Sequence, residues 1–141
     1  MKILLPVDGS PFTKKMLAYV GAHEELFGAA AEWALIHVQT PIPPRARAAV
    51  GKELVEKMHA DETTAATKAV LAYFKQKGWP ARVITKVGVP GEEIAKAAEA
   101  GKFDLVVMGS HGHSALGALF MGSTAQRVLA KCSTPVLLIR Q

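Results

Sequence analysis

Two hydrophobic rhythms alternate along this chain. The runs Lys2 to Val7, Ala30 to Val38, Leu105 to Met108 and Val136 to Ile139 are nearly unbroken apolar stretches, bounded by Gly, Pro or charged residues. Apolar runs this short read as strands buried on both faces. Arg82 to Val87 alternates and reads as a further strand. Between the runs, apolar positions recur at helical spacing. Phe12, Met16, Val20, His23 and Phe27 form one such stripe, which places His23 at a core edge. Leu54, Met58, Ala66, Val70 and Phe74 form another, and Ala125 to Leu129 opens a last helix.

Start and stop signals agree with these assignments. Ser10 is a helix cap with Pro11 at the first helical position, and Ser123 or Thr124 caps the last helix. Gly28, Gly78 and Gly101 sit where helices end. A short helix starts at Val89-Pro90-Gly91, and few residues break a helix between Arg47 and Lys77, although Gly51 delays its start. Thr40-Pro41-Ile42-Pro43-Pro44 suits neither helix nor strand interior and is expected to be an extended surface loop that moves or meets a partner. Strands alternating with helices imply an α/β fold: an open parallel sheet of five strands, covered on both faces by four helices and joined by right-handed crossovers.

Composition narrows the class. A chain of 141 residues, half of them hydrophobic, supports one domain with a real core, so residues 1–141 are expected to form a single globular unit. No apolar stretch approaches the roughly eighteen residues of a membrane span. Pro6 and Asp8 interrupt the N-terminal apolar run before it resembles a secretory leader, which makes the cytoplasm the expected compartment. Cys132 is the single cysteine and falls four residues after Val128, where it is expected to pack in the core. The net charge of +5 is scattered rather than gathered with aromatics, so nucleic-acid binding is a weak alternative.

Candidate chemistry concentrates between Asp104 and Thr124. An apolar strand stops at Gly109-Ser110-His111-Gly112, and a helix begins after Gly122. A helix N-terminus carries unshared N–H groups and about half a positive charge, and glycines let a backbone approach an anion closely. The loop is neither a P-loop nor a GxGxxG fingerprint. On the residues alone, phosphate binding and a plain flexible connection both stay open.

The spacing Gly109-x-x-Gly112, nine residues, then Gly122-Ser123, together with Val7-Asp8-Gly9-Ser10 and Pro135-Val136-Leu137-Leu138-Ile139, resembles the universal stress protein family over the whole chain. Nucleotide-binding members carry GxxGx9G(S/T), which is matched here at every fixed position. The resemblance implies the strand order 3-2-1-4-5 and a nucleotide held between the ends of the first and fourth strands. Carried over by position, the site comprises Asp8, Val38, Met108, Gly109, His111, Gly112, His113, Gly122, Ser123 and Thr124. Asp8 and the backbone at Val38 would hold ribose and adenine; Gly109, Gly112, Gly122, Ser123 and Thr124 would cradle phosphates. ATP, or AMP or ADP, is the implied ligand, and Mg²⁺ is expected with a triphosphate. A short Asx turn or helix cap is the purely structural alternative for Asp8.

The implied role is that of a regulatory, nucleotide-binding stress-response protein. A nucleotide-independent interaction protein, with a protein partner the sequence does not name, and a weak ATPase are the alternatives. His111 and His113 do not make a metal site, since no acidic or Cys residue in the loop completes one, and no arginine finger or catalytic triad is evident. The chain departs from its relatives at His113 to Met121, where a permanent cation is usual and none occurs. If His113 touches phosphate, affinity is expected to rise as pH falls; a solvent-facing histidine is the alternative. A symmetric homodimer through the terminal strand, Val136 to Ile139, is also implied, because an apolar edge invites pairing.

Overall fold

The computed structural model describes residues 1–27, 30–111 and 121–140. In chain order the elements are β1 (Lys2–Pro6), α1 (Phe12–Ala22), a 3-10 turn (Glu24–Leu26), β2 (Glu32–Gln39), α2 (Pro44–Val50) and α3 (Lys52–Lys77). Then follow β3 (Ala81–Val87), α4 (Pro90–Ala100), β4 (Leu105–Gly109), α5 (Ser123–Lys131) and β5 (Val136–Ile139). The five strands form one sheet in the order β3-β2-β1-β4-β5. Every pairing is parallel, with Leu4 opposite Ala34 and Val106, and Val106 opposite Val136.

Period-two alternation divides the core into two layers. Ile3, Leu5 and Val7 point to one face with Leu35 and Val107, where Met16, Leu17 and Val20 of α1 and Val70 and Phe74 of α3 meet them. Leu4, Ala34, Ile36, Val106 and Met108 point to the other, against Ile94 and Ala98 of α4 and Ala125 and Val128 of α5. Both faces of β1 and β4 are thus buried, which is why their sequences are continuous apolar runs. The edge strand β3 is largely exposed and carries Arg82 and Lys86, charges that discourage pairing with another chain.

Several local expectations are revised. Pro44 does not continue the loop but opens α2, because the first helical position needs no N–H donor. Gly51, at φ +86°, ends α2 and precedes α3, so the stretch from Arg47 to Lys77 is two helices and the described residues hold five in all. Leu54 and Met58 are not core residues; they are 46% and 48% exposed. Steps of four residues drift by about 40° each around a helix of 3.6 residues per turn, so Leu54 and Met58 fall on a different face of α3 from Phe74, while Val55 beside them is buried. The residues of α3 that are buried are Val55, Thr63, Ala66, Thr67, Val70 and Phe74.

The caps are revised too. Pro11, not Ser10, occupies the cap of α1, and no side chain caps it. Ser10 is buried, and its carbonyl takes the Thr13 N–H at 3.1 Å. Gly122 caps α5, which makes Ser123 and Thr124 its first two helical residues. Cys132 lies just past the end of α5, half-buried at the margin of the second core layer rather than within it. His23 is half-buried and stacks on Tyr19 at 4.2 Å, at the core edge as expected. Gly28 lies outside the described residues.

Candidate functional site

Strand β1 sits mid-sheet, and the chain leaves it for β2 on one side while β4 pairs on the other. In such a sheet the loops at the carboxyl ends diverge and open a crevice. Here it has a volume of about 360 Å³ and lies between the ends of β1, β2 and β4 and the start of α5.

The β1 side is built by a tight turn. Asp8 follows β1, and its Oδ1 accepts the Ser10 N–H at 2.9 Å, which is the Asx turn that the sequence offers as the structural alternative. Gly9 is left-handed at φ +74°, and a Cβ there would lie 3.3 Å from the Cα of Ala66 in α3. The turn therefore lies close against α3, and glycine suits both the left-handed dihedral and the tight approach. Asp8 itself is exposed at the crevice wall.

The β4 side is built by hydrogen bonds that close the glycine loop. The Ser110 N–H donates to Ile139 O at 3.0 Å, and Gly122 N–H donates to Ser110 O at 2.7 Å. The two ends of the loop are thus pinned together at the mouth of the sheet. Gly122 is extended, φ −63° and ψ 154°, and its carbonyl accepts the Gln126 N–H, the first bond of α5. That geometry leaves the N–H groups of Ser123, Thr124 and Ala125 without intrahelical acceptors, at a helix end that lines the crevice. Gly109 does not need glycine for a positive φ; a Cβ there would come within 3.1 Å of His111 O.

Of the residues expected at a nucleotide, Asp8, Val38, Met108, Gly109, His111, Gly122, Ser123 and Thr124 all line this one crevice. Gly112 and His113 lie outside the described residues. Val38 is half-buried near the end of β2, and Met108 is buried in β4. His111 is buried, its Nδ1 lies 2.9 Å from Ser110 Oγ and its ring packs beside Phe12.

Sequence reasoning misses other lining residues. His37 is buried in β2, with Nδ1 3.2 Å from Thr63 Oγ1. Gln39 Nε2 donates to the same hydroxyl at 2.6 Å and to the carbonyl of His59, so β2 and α3 are bound together beside the crevice. A histidine inside an otherwise apolar strand, near its carboxyl end, is the signal that points there. Glu62 of α3 and Ile94 of α4 also reach the crevice, and no local pattern singles them out. Among the described lining residues the ionisable groups are Asp8, Glu62, His37 and His111; there is no Lys or Arg. No group of three or more His, Cys, Asp or Glu side chains able to hold a metal occurs among the described residues.

Comparison with known proteins identifies the family. The sequence model of the universal stress protein family matches residues 1–140, and the chain belongs to that family. It is 34% identical over 139 residues to the universal stress protein in the QAH/OAS sulfhydrylase 3' region of Thermus aquaticus, covering 98% of this chain and 97% of the relative. The solved structure of MJ0577, a universal stress protein of Methanocaldococcus jannaschii, superposes with a TM-score of 0.76 at 31% identity, covering 99% of this chain and 95% of that one. The fold is shared with a universal stress protein in complex with cAMP (TM-score 0.72, 21% identity, 99% and 97% covered). It is shared also with an Arabidopsis thaliana protein with AMP bound (0.70, 15%, 100% and 92%) and an Archaeoglobus fulgidus protein in complex with dAMP (0.67, 19%, 99% and 98%).

Proposed function

We propose that the crevice binds an adenine nucleotide, ATP, ADP or AMP, and that this universal stress protein works as a nucleotide-responsive regulatory protein of the cytoplasm rather than as a rapid catalyst. The observation that carries the reading is the convergence of Asp8, the β4 end and the amino end of α5 on one crevice of about 360 Å³, a size that small-molecule sites share. The adenine nucleotides held by three proteins of the same fold support it.

In this reading each group does what its chemistry allows. Asp8 accepts from ribose hydroxyls, the backbone near Val38 meets the base edge, and Met108 and Ile94 supply apolar wall. A phosphate sits at the amino end of α5, where N–H groups of Ser123, Thr124 and Ala125 and two hydroxyls converge. Gly109 and Gly122 keep the loop ends free of side chains, with Gly112, His111 and His113 in the same loop. Among the described residues no group of side chains cages a divalent ion, and Mg²⁺ would arrive held by phosphate oxygens and water.

The second copy is proposed to dock along β5, the apolar outer strand of the sheet, whose side chains are half-buried except for Ile139. Pairing there would cover an edge that otherwise invites uncontrolled association. A monomeric mass by light scattering at micromolar concentration removes the dimer from the proposal.

Extraction of freshly purified protein, with mass identification of any released nucleotide, and calorimetry with added AMP and ATP test the main reading. Nucleotide recovered, or bound with Asp8→Ala weakening it, supports the site. No binding in folded protein would favour the nucleotide-independent interaction protein, and phosphate release that tracks Asp8 would favour the weak ATPase.

A further inference from the structure

We infer that Thr63 of α3 is a positioning residue for base recognition: its hydroxyl ties the side chains on either side of Val38 to the helix and so fixes the strand end that reads the base. The inference rests on the nucleotide reading above and names what gives that site its preference for adenine.

The backbone of β2 comes first. Along a strand flanked by two others, successive residues turn their N–H and C=O groups to alternate sides. The Val7 N–H donates to Ile36 O at 2.9 Å, so Ile36 faces β1, and the Gly88 N–H donates to Gln39 O at 2.8 Å, so Gln39 faces the β3 side. By the same alternation Val38 turns its N–H and C=O toward β1. At that level β1 has ended at Pro6 and the chain leaves through the Asp8 turn, where Val7, Asp8 and Val38 line the crevice. One residue thus presents a donor and an acceptor together at the wall. Adenine offers the complement, a ring nitrogen that accepts beside an amino group that donates. A 6-oxo purine carries the reverse order, and with its ribose at Asp8 the same seat sets donor against donor.

Such an edge discriminates only if it cannot shift to suit the wrong base. Side chains alternate along a strand, so Val38 packs with one core layer while His37 and Gln39 turn to α3 on the other face. Both of these buried neighbours meet a single atom. His37 Nδ1 lies 3.2 Å from Thr63 Oγ1, and Gln39 Nε2 donates to the same oxygen at 2.6 Å. A hydroxyl can accept from one partner and give its own proton to another, so it can serve both at once. Gln39 Nε2 also donates to the His59 carbonyl one turn earlier in α3, and the Thr67 hydroxyl donates to Thr63 O at 2.8 Å. Thr63 itself is buried behind the crevice wall. With residues 37 and 39 pinned to one helix, the backbone of Val38 between them has little room to slide or twist.

The test is equilibrium binding of AMP and of IMP, its 6-oxo counterpart, to the full-length chain and its variants, with urea unfolding to establish that each is folded. The parent is expected to prefer AMP by about tenfold or more, because IMP leaves a desolvated donor and acceptor unpaired. Thr63→Val keeps the branched shape without the hydroxyl and is expected to cut the preference to about threefold or less, while Thr63→Ser retains it. Thr67→Val removes another buried hydroxyl, one that bonds within the helix, and is expected to leave the preference unchanged whatever it does to stability. Gln39→Met severs the tie from the strand side and is expected to act like Thr63→Val, including where Thr63→Val does not fold. A preference unmoved in folded Thr63→Val or Gln39→Met, or lowered equally by Thr67→Val, assigns Thr63 to stability alone and overturns the inference. Equal binding of AMP and IMP by the parent overturns it too and leaves the nucleotide site standing. Failure of both nucleotides to bind the folded parent overturns the nucleotide reading itself, and this inference with it.

Discussion

Replacing Gly9 with alanine separates two demands that one residue meets. Gly9 and Gly78 have nearly the same left-handed backbone, φ +74° and +72°. An alanine at either position costs about 1–2 kcal/mol of strain, offset by about 0.4–1 kcal/mol because the unfolded chain loses freedom. A Cβ on Gly78 would meet nothing within 4 Å, so Gly78→Ala is expected to destabilise by about 1 kcal/mol from the backbone alone. At Gly9 the new methyl meets the Ala66 Cα at 3.3 Å and its Cβ at 3.6 Å. A helix backbone cannot swing aside as a side-chain tip can, and overpacking of this kind adds about 1–3 kcal/mol. Gly9→Ala is therefore expected to lose about 2–4 kcal/mol in total.

The same shift has a functional arm. The Asp8 Oδ1 to Ser10 N–H bond spans Gly9, so moving Gly9 away from α3 rotates the carboxylate at the crevice wall. Urea unfolding followed by the fluorescence of buried Trp33 and half-buried Trp79, which stack at 5.8 Å, measures the stability difference. Calorimetry with AMP measures the site. Gly9→Ala is expected to weaken AMP about tenfold, while Gly78→Ala, at the far end of α3, leaves affinity unchanged. Equal stability losses in the two variants would falsify the packing argument, and unchanged AMP affinity in Gly9→Ala would separate the turn from the site.

Gly122→Val is expected to fold, because φ −63° and ψ 154° suit valine, yet to lose nucleotide binding; retained AMP affinity in the folded variant would sink the close-approach role. Phe74→Ala removes a ring that is 1% exposed and packs edge-on against Trp33 and Trp79, so urea titration should show a loss of about 3–5 kcal/mol. The Glu99 carboxyl is held below its ordinary value of 4.5 by hydrogen bonds from the Ser133 N–H and then its hydroxyl. A depressed carboxyl stabilises the fold above that ordinary value and ceases to do so as pH falls through the folded one. Thermal melts of the parent and Glu99→Gln should therefore differ at pH 7 and converge in acid, and a gap that persists in acid would assign the effect to something other than this carboxylate.

Much of the architecture is legible in the sequence because burial on both sheet faces leaves a simple trace. Ile3 and Leu5 serve one layer and Leu4 the other, so β1 needs apolar residues at every position and announces itself as a run. The parallel sheet follows from such runs alternating with helical stripes, and the order 3-2-1-4-5 follows from the family resemblance. What a run of four-residue steps hides is its own drift around the helix. Leu54 and Met58 keep the spacing of Val70 and Phe74, but each step of four turns about 40° past a full turn, so at that end of α3 the inward face belongs to Val55 and Leu54 and Met58 face out. The cap of α5 is misread for a tertiary reason: Ser123 has the better capping side chain, yet the bond from Gly122 N–H to Ser110 O sets where the chain turns into the helix.

The site shows the same division between local and tertiary information. Glycines at 109 and 122 and the acid at 8 belong to short motifs whose spacing reflects backbone geometry, and all three line the crevice. Glu62 and His37 arrive by a different route. His37 is placed by its position in β2 and held by Thr63, and Glu62 is placed by the packing of Ala66 on Gly9, one turn further along the same helix. A motif can therefore announce a phosphate loop while the charge of the cleft depends on residues outside it.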